Sequence, residues 1–482
     1  MTRKSLAILL AFICLIIRLK YLYGRTLVPF QLDYEEGNIL NAALRLLHGA
    51  TPYPDPRTFP YILNPYGPAG YALTALGIKT FGLSLFGPRL FVLLAGVGIA
   101  VLIAALTRSF TGQWKIGLLL GALYLCLPQT WDWLPILRVD FWAVFFSLLG
   151  LYLFTSFPRA WYLPAIVFAL ALLTKQTAIA APLACMADLI VQRKLKRALA
   201  FGTILAGAIL TCLLPMDGHY AFHLIYTHPD PYSIQRAWHY FSDAIKAGAL
   251  IVIIIVYAAS QGFRWNRQSR STWLYLGFCT PLVLTAGKLG SNSNHVLEWM
   301  AALCLMGALA LSYLLEKPVR FARPLAAGVL LLFVALAVLP QFSASSRIDQ
   351  SECADAYAFV RSFPGHRILS EDVSALVLGG QPVLVSNPFV ATQLGNSVAW
   401  SQGTVDQLVE RQYFDLIVLG GELKDFQDSG RWSSKLIEAV GQAYTPAKRF
   451  RCSPNFGVAY VPKQKAGAVV QQRAPAVDPG VH

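Results

Sequence analysis

Charge is what this sequence has least of. Only 13% of its 482 residues are Asp, Glu, Lys or Arg, 56% are hydrophobic, and the mean hydropathy is +0.51. Soluble domains carry about a quarter charged residues, so the shortage excludes an ordinary soluble chain and leaves a polytopic membrane protein. Acidic residues are the scarcer sign, 25 against 40 basic, for a formal net charge of +15. In a soluble protein that excess would suggest nucleic acid. Here much of the Lys and Arg lies in short loops between apolar runs, as the positive-inside rule requires, and no nucleic-acid partner is implied. The chain also lacks a repeat period and any low-complexity tract except its polar, Pro-containing end after Lys465, expected to be disordered over 464–482. Six of the eight cysteines (Cys14, Cys126, Cys185, Cys212, Cys279, Cys304) lie in apolar segments without metal-ligand spacing and read as core fillers.

What is abundant is apolar sequence. The opening "MTRKSLAILLAFICLII" has a basic start and an apolar run but no small-residue cleavage site, so it reads as a retained first helix. Further runs occupy roughly 84–107, 116–130, 139–157, 161–174, 176–190, 198–215, 244–262, 272–288, 295–314 and 324–341. Segment 161–190 is apolar except for "TKQT" at Thr174–Thr177. As one helix it would be about 45 Å long, against a hydrocarbon core of about 30 Å. A hairpin puts "FPRAW" and "QRKLKR" on one side and brings "GFRWNRQSR" and "LEKPVRFARP", with Arg267 and Arg320, to that side as well. The expected fold is therefore an α-helical polytopic membrane protein of about eleven spans over 1–345, N-terminus cytoplasmic, with 25–83 as its first outer loop.

That loop begins "QLDYEEGNILNAALRLLHGATPY", three carboxylates followed by a helical period. Ile39, Leu40, Ala43, Leu44, Leu46 and Leu47 share one face, Asn38, Asn41, Arg45 and His48 the other, which predicts a helix lying along the membrane surface. Asp33 and Glu36 fit a D-x-x-E capping box, and a cap can equally fix a catalytic carboxylate in place. The D-x-x-E-G start, the "A..L..G..PY" after it and the "PYGP" before the second span resemble the GT-C membrane glycosyltransferases, over about residues 1–345. Their relatives include protein O-mannosyltransferases, lipid A aminoarabinose transferases and bacterial family 39-like enzymes. The resemblance implies an enzyme that takes a sugar from a polyprenyl phosphate and passes it to a lipid, glycan or protein acceptor on the outer face. It also implies that an acidic residue of the first outer loop is catalytic, which by position is Asp33. Many members carry adjacent Asp-Glu there; here Tyr34 separates Asp33 from Glu35, and Glu36 is the expected catalytic companion.

Other polar groups fall near the same side. Arg138 and Asp140 begin the fourth run and Lys175 tips the hairpin; ionisable groups in spans are costly and so paired or functional. Arg138 and Lys175 are the expected contacts of the donor phosphate, with Asp140 partnering another helix. Lys288, His295 and Glu298 sit on another outer turn, and the last two make only half a metal site, so a divalent metal is left open. Loop 216–243, with His219, His223, His228 and His239 among aromatics, matches no metal motif and reads as a substrate rim.

After Pro340 the composition changes. "HRILSED", "PVLVSN" and "FDLIVLGG" read as strands, "TVDQLVERQ" and "SGRWSSKLIEAVG" as helices, which predicts a small extracytoplasmic α/β domain over 346–463 without a G-x-G-x-x-G or a P-loop. Cys353 and Cys452, outside the apolar runs and in an oxidising compartment, are expected to pair. The favoured function is inverting glycosyl transfer with Asp33 as general base, in a bacterial inner membrane. The alternative is a transporter or flippase of lipid-linked sugars, which predicts broken helices in matching halves.

Overall fold

The computed structural model describes residues 3–214, 216, 219–226, 231–266, 269–338, 349–395, 403–426, 431–453 and 456–465. Arg267, His228 and the polar end after Lys465 lie outside them.

The bundle is built from α1 (Arg3–Thr26), α2 (Glu35–Leu47), α3 (Pro68–Phe81), α4 (Phe86–Thr111), α5 (Trp114–Cys126), α6 (Pro128–Trp133), α7 (Asp140–Ser156), α8 (Leu163–Thr174), α9 (Ala180–Val191) and α10 (Leu195–Leu213). A single turn, α11 (His219–Ala221), precedes α12 (Ile234–Ala247), α13 (Ala249–Ser260), α14 (Arg270–Leu282), α15 (Leu297–Glu316) and α16 (Ala322–Val338). Each apolar run of the sequence is helical through its middle. By length and composition Phe86–Thr111, Leu195–Leu213 and Ser293–Glu316 can each cross a membrane, as can α12 with α13, which meet at a 72° bend. Helix α15 is the hub, buried along most of its length against α4, α5, α13 and α14.

Segment 161–190 turns back on itself. Trp161, just before α8, and Gln192, just after α9, line one cavity together with Lys194 and Arg197. The break falls at Lys175, whose extended backbone (φ −147°, ψ 122°) ends α8. The "PYGP" turn holds this end in place: the Gly67 amide donates to Thr174 O at 3.3 Å. A Cβ on Gly67 would run into the Leu173 carbonyl.

The C-terminal domain adds α17 (Gln350–Ser362), β1 (Ile368–Ser370), α18 (Val373–Leu378), α19 (Pro388–Gly395), α20 (Gly403–Glu410), β2 (Leu416–Leu419), α21 (Ser434–Ala443), β3 (Tyr444–Ser453) and β4 (Phe456–Pro462). Its sheet runs β1-β2-β4-β3, β1 parallel to β2 and the other pairs antiparallel. Two of the expected strands form. "PVLVSN" does not; its Val385 only bridges Tyr61 of the first loop, while the β3–β4 hairpin is an addition. Cys353 and Cys452 form a disulfide with Cα atoms 4.4 Å apart, tying α17 to β3. Of the other cysteines five are buried, but Cys212 is exposed rather than a core filler.

Helix α2 does not lie free along a surface as expected. It is sandwiched between α3 and α18 of the C-terminal domain. The domain covers the N-terminal end of its polar side: Asn38 Oδ1 accepts from Asn387 N at 3.1 Å and, just ahead of the helix, Gln31 Oε1 accepts from Ser374 N at 3.3 Å. Gly37 makes this approach possible, since a Cβ there would collide with the Ser374 amide.

Candidate active site

The three carboxylates of the first loop separate in the fold. The Asp33 carboxylate is reached by the Arg138 guanidinium (Nη1 to Oδ1, 2.8 Å) and also accepts from the Glu35 amide at 3.2 Å. Burial pushes its carboxyl above the ordinary range, against the pull of Arg138. Glu36 turns inward. It is 0% exposed, Arg89 donates to both its oxygens (2.7 and 2.6 Å), and the amides of Leu32, Asp33 and Leu137 donate at 2.6, 3.3 and 2.6 Å. The capping box is thus half formed, by Glu36 reaching back to the Asp33 amide. Glu36 does not line the cleft described below.

Glu35 takes a third direction. Its Oε1 accepts from Asn387 Nδ2 of the C-terminal domain at 2.6 Å, and its Oε2, equally buried, has no hydrogen-bond partner among the described residues. Burial, opposed by Arg138, raises this carboxyl to about 7.

Arg138 is not on a helix but in the segment between α6 and α7. Its Nε lies 3.8 Å from Asp140 Oδ2, and its guanidinium stacks over Trp133 at 5.2 Å. Asp140, at the start of α7, accepts from Lys175 Nζ at 2.5 Å and from Asn294 Nδ2 at 2.9 Å, so it does partner other elements. Asp33, Arg138, Asp140 and Lys175 therefore form one alternating chain of charges. Lys175 is 9% exposed and enclosed, not a free cation at a loop tip.

Of these groups Arg138 and Lys175 line a cleft of about 260 Å³, together with Tyr34, Glu35, Tyr66, Gln176, Lys288, Asn294, His295, Leu224, Ile225 and, from the C-terminal domain, Phe389 and Val390; Asp33 and Asp140 stand behind the two cations. Adjoining it between α7, α14 and α15 is a small cavity of about 30 Å³, whose lining includes Asp140, Glu298 and Trp299. Lys175, Thr177, Thr285, Asn294 and His295 line both spaces. Arg138 Nε, Asp140 Oδ2, Asn294 Oδ1 and Glu35 Oε2 have no hydrogen-bond partner among the described residues, although all four are buried. Arg138 Nε and Asp140 Oδ2 face each other, while Glu35 Oε2 and Asn294 Oδ1 belong to residues of the cleft wall; buried polar atoms are rarely left so, and these two mark a place for a polar ligand.

His295 and Glu298 do not act together. His295 Nδ1 meets Thr285 Oγ1 at 2.8 Å, and Glu298 accepts from Tyr275 OH at 3.2 Å. Among the described residues no three His, Cys, Asp or Glu side chains converge as a metal site. In loop 216–243 the rim of the cleft is aliphatic, Leu224 and Ile225. His223 is a buried strut instead: its Nδ1 accepts from Asn64 N at 3.1 Å and its Nε2 meets Pro54 O at 2.8 Å. Burial lowers its ring to about 4. The sequence reading missed Arg89, Asn294 and Asn387. Only Arg89, a lone charge in an apolar helix, gave a signal.

Residues 64–216 match the family described as dolichyl-phosphate-mannose-protein mannosyltransferase. No curated protein sequence matches the chain. Among solved structures, ArnT from Cupriavidus metallidurans bound to undecaprenyl phosphate superposes with a TM-score of 0.61 at 14% identity, covering 95% of this chain and 98% of that one. Apo ArnT gives 0.60 with the same identity and coverage. The apo oligosaccharyltransferase of Archaeoglobus fulgidus gives 0.58 at 11% identity, covering 92% of this chain and 73% of the other. The chain is thus similar in fold to ArnT and to the archaeal oligosaccharyltransferase, and residues 64–216 are similar to the dolichyl-phosphate-mannose-protein mannosyltransferases.

Proposed function

We propose that this protein is a glycosyltransferase that moves a sugar from a polyprenyl-phosphate donor to a lipid, glycan or protein acceptor on the outer face of the membrane. The observation that carries the reading is the Asp33–Arg138–Asp140–Lys175 chain of ion pairs, whose two cations line a polar cleft. ArnT with undecaprenyl phosphate and the archaeal enzyme AglB with an inhibitory peptide and a dolichol phosphate share the fold, which supports a polyprenyl donor.

The chemistry needs a base and a stabilised leaving group. The acceptor's lone pair forms the new bond to the anomeric carbon from the face opposite the phosphate, inverting it. The bond from that carbon to the phosphate oxygen breaks, and its electron pair leaves on the lipid phosphate. The acceptor's proton passes to Asp33, whose burial makes it a better base than a solvated carboxylate. Arg138 and Lys175 meet the charge that grows on the departing phosphate through charge-assisted hydrogen bonds. Asp140 is a positioning residue that holds both cations, and Glu36 one that fixes the loop carrying Asp33. The 72° bend between α12 and α13 adds a second interrupted helix, the feature a transporter would need. Transfer by purified protein in detergent separates the two readings, because no vectorial transport can be scored there.

The test is Asp33→Asn, with a radiolabelled polyprenyl-phosphate sugar and purified protein. Asn keeps the size and still accepts from the Glu35 amide but cannot take a proton. Turnover per folded molecule should fall by about 10²–10⁴-fold, and loss of the ion pair with Arg138 should also lower the melting temperature. Activity within about threefold of wild type would remove Asp33 as the base, since a general base contributes far more than that.

A further inference from the structure

Glu35 is a buried carboxyl with one oxygen fixed and one free. Its fixed oxygen is held not by the bundle but by Asn387, 352 residues away in the C-terminal domain. Asn387 is itself held tightly: its amide donates to Asn38 Oδ1 at 3.1 Å, and its own Oδ1 accepts from Val390 N at 3.2 Å to cap α19. Its backbone is left-handed (φ 49°), a conformation that Asn and Asp adopt more readily than other residues. The same turn carries Phe389 and Val390 into the cleft wall. Phe389 packs where a Cβ on Gly290 would clash.

We propose that Glu35 receives the hydrogen-bond donor of the acceptor, a hydroxyl or an amine, and that Asn387 is the positioning residue through which the C-terminal domain sets this contact. The inference rests on the glycosyl-transfer reading above. A phosphate would be repelled by a carboxylate and is served by Arg138 and Lys175. A hydroxyl or amine hydrogen finds its partner in the free Oε2 of Glu35. Glu35 begins α2 two residues after Asp33 and feels the charges of both Asp33 and Arg138, so an acceptor bound to Glu35 presents its nucleophile near Asp33. The acceptor side of the cleft is then built jointly by the first loop and by Asn387, Phe389 and Val390, which makes the C-terminal domain a specificity element.

Asn387→Asp isolates the contact. Asp keeps the α19 cap and tolerates the left-handed backbone, but it removes the amide donor and puts a second carboxylate against Glu35. The full-length protein in detergent is given a radiolabelled polyprenyl-phosphate sugar and graded amounts of a cell-envelope lipid extract as acceptor. Undecaprenyl phosphate binding is followed in parallel by native mass spectrometry. We expect the acceptor KM of Asn387→Asp to rise about tenfold or more, the loss of one hydrogen bond to a charged group. Undecaprenyl phosphate binding should stay unchanged. Glu35→Gln, which keeps the side-chain size, should raise the same KM and leave donor binding intact. An unchanged acceptor KM in both variants overturns the inference and leaves the functional reading standing. Loss of undecaprenyl phosphate binding in step with the KM change overturns it too, because that is the mark of a merely structural contact. No transfer by the wild-type protein with any polyprenyl-phosphate sugar overturns the functional reading and this inference with it.

Discussion

Glu36→Gln distinguishes a carboxylate that holds the site from one that reacts in it. Glu36 Oε2 accepts from Leu32 N, Asp33 N and Arg89 Nη2, and Oε1 from Arg89 Nε and Leu137 N. A Gln has one acceptor oxygen and one NH₂ group. In its better orientation the NH₂ stands at the Oε1 position, where it faces two donors and loses both bonds. It also leaves the Arg89 guanidinium without a counter-charge at 0% exposure. Breaking a buried ion pair from one side costs about 3–5 kcal/mol. Thermal unfolding in detergent should therefore show a large drop in melting temperature, and activity per folded molecule should fall less than total activity. Adding Arg89→Leu should not restore stability fully, because the Leu137 amide stays unpaired at about 1–3 kcal/mol and the Val28 and Phe30 carbonyls lose their Arg89 donors. An unchanged melting temperature with activity down as far as in Asp33→Asn would refute the holding role and make Glu36 a chemical participant.

Lys175→Gln should weaken undecaprenyl phosphate binding, read by native mass spectrometry, by about 10–100-fold, the worth of one hydrogen bond to a charged group. A wild-type dissociation constant would put the phosphate elsewhere. Intact mass after denaturing alkylation without reductant should show six alkylated cysteines, and eight would mean that Cys353 and Cys452 are not bonded. His223 predicts a pH dependence: its folded value of about 4 lies below the ordinary value near 6.5, so the unfolded chain binds the extra proton first. Its stability contribution is full above about pH 6.5 and is lost as pH falls toward about 4. The melting temperature should drop over that window, less steeply in His223→Gln, and equal slopes in the two proteins would count against the strut.

The features legible in the sequence are those set by local pattern. Apolar runs gave the bundle helices, and the basic ends of 161–190 gave the hairpin, because the chain cannot bury "TKQT" mid-membrane without a partner. Short β-rich runs gave β1 and β2, which are buried along their whole length. The capping box was visible because its partners are three residues apart. Helix α2 was misjudged for a physical reason: an amphipathic pattern fixes which face is apolar but not what covers the polar one. "PVLVSN" has the composition of a strand, yet its only bridge is to Tyr61, since the first loop and not the sheet reaches it. Arg89 and Asn387 escaped because 53 and 352 residues separate them from Glu36 and Glu35, and no local rule relates such positions.

The clustering of three carboxylates at one turn of chain now has a reason. Each is directed to a different part of the protein: Asp33 to Arg138 ahead of α7, Glu36 to Arg89 on α4, and Glu35 to Asn387 in the C-terminal domain. A turn fixed from one side only could rock about that contact. Fixed from three sides, it holds the Asp33 carboxylate and the free oxygen of Glu35 in a set relation to Lys175 and Arg138. The cost of burying so much charge is met pair by pair, since each carboxylate finds a cation or an amide. The free oxygen of Glu35 then lies on a residue of the cleft wall, where a substrate can use it.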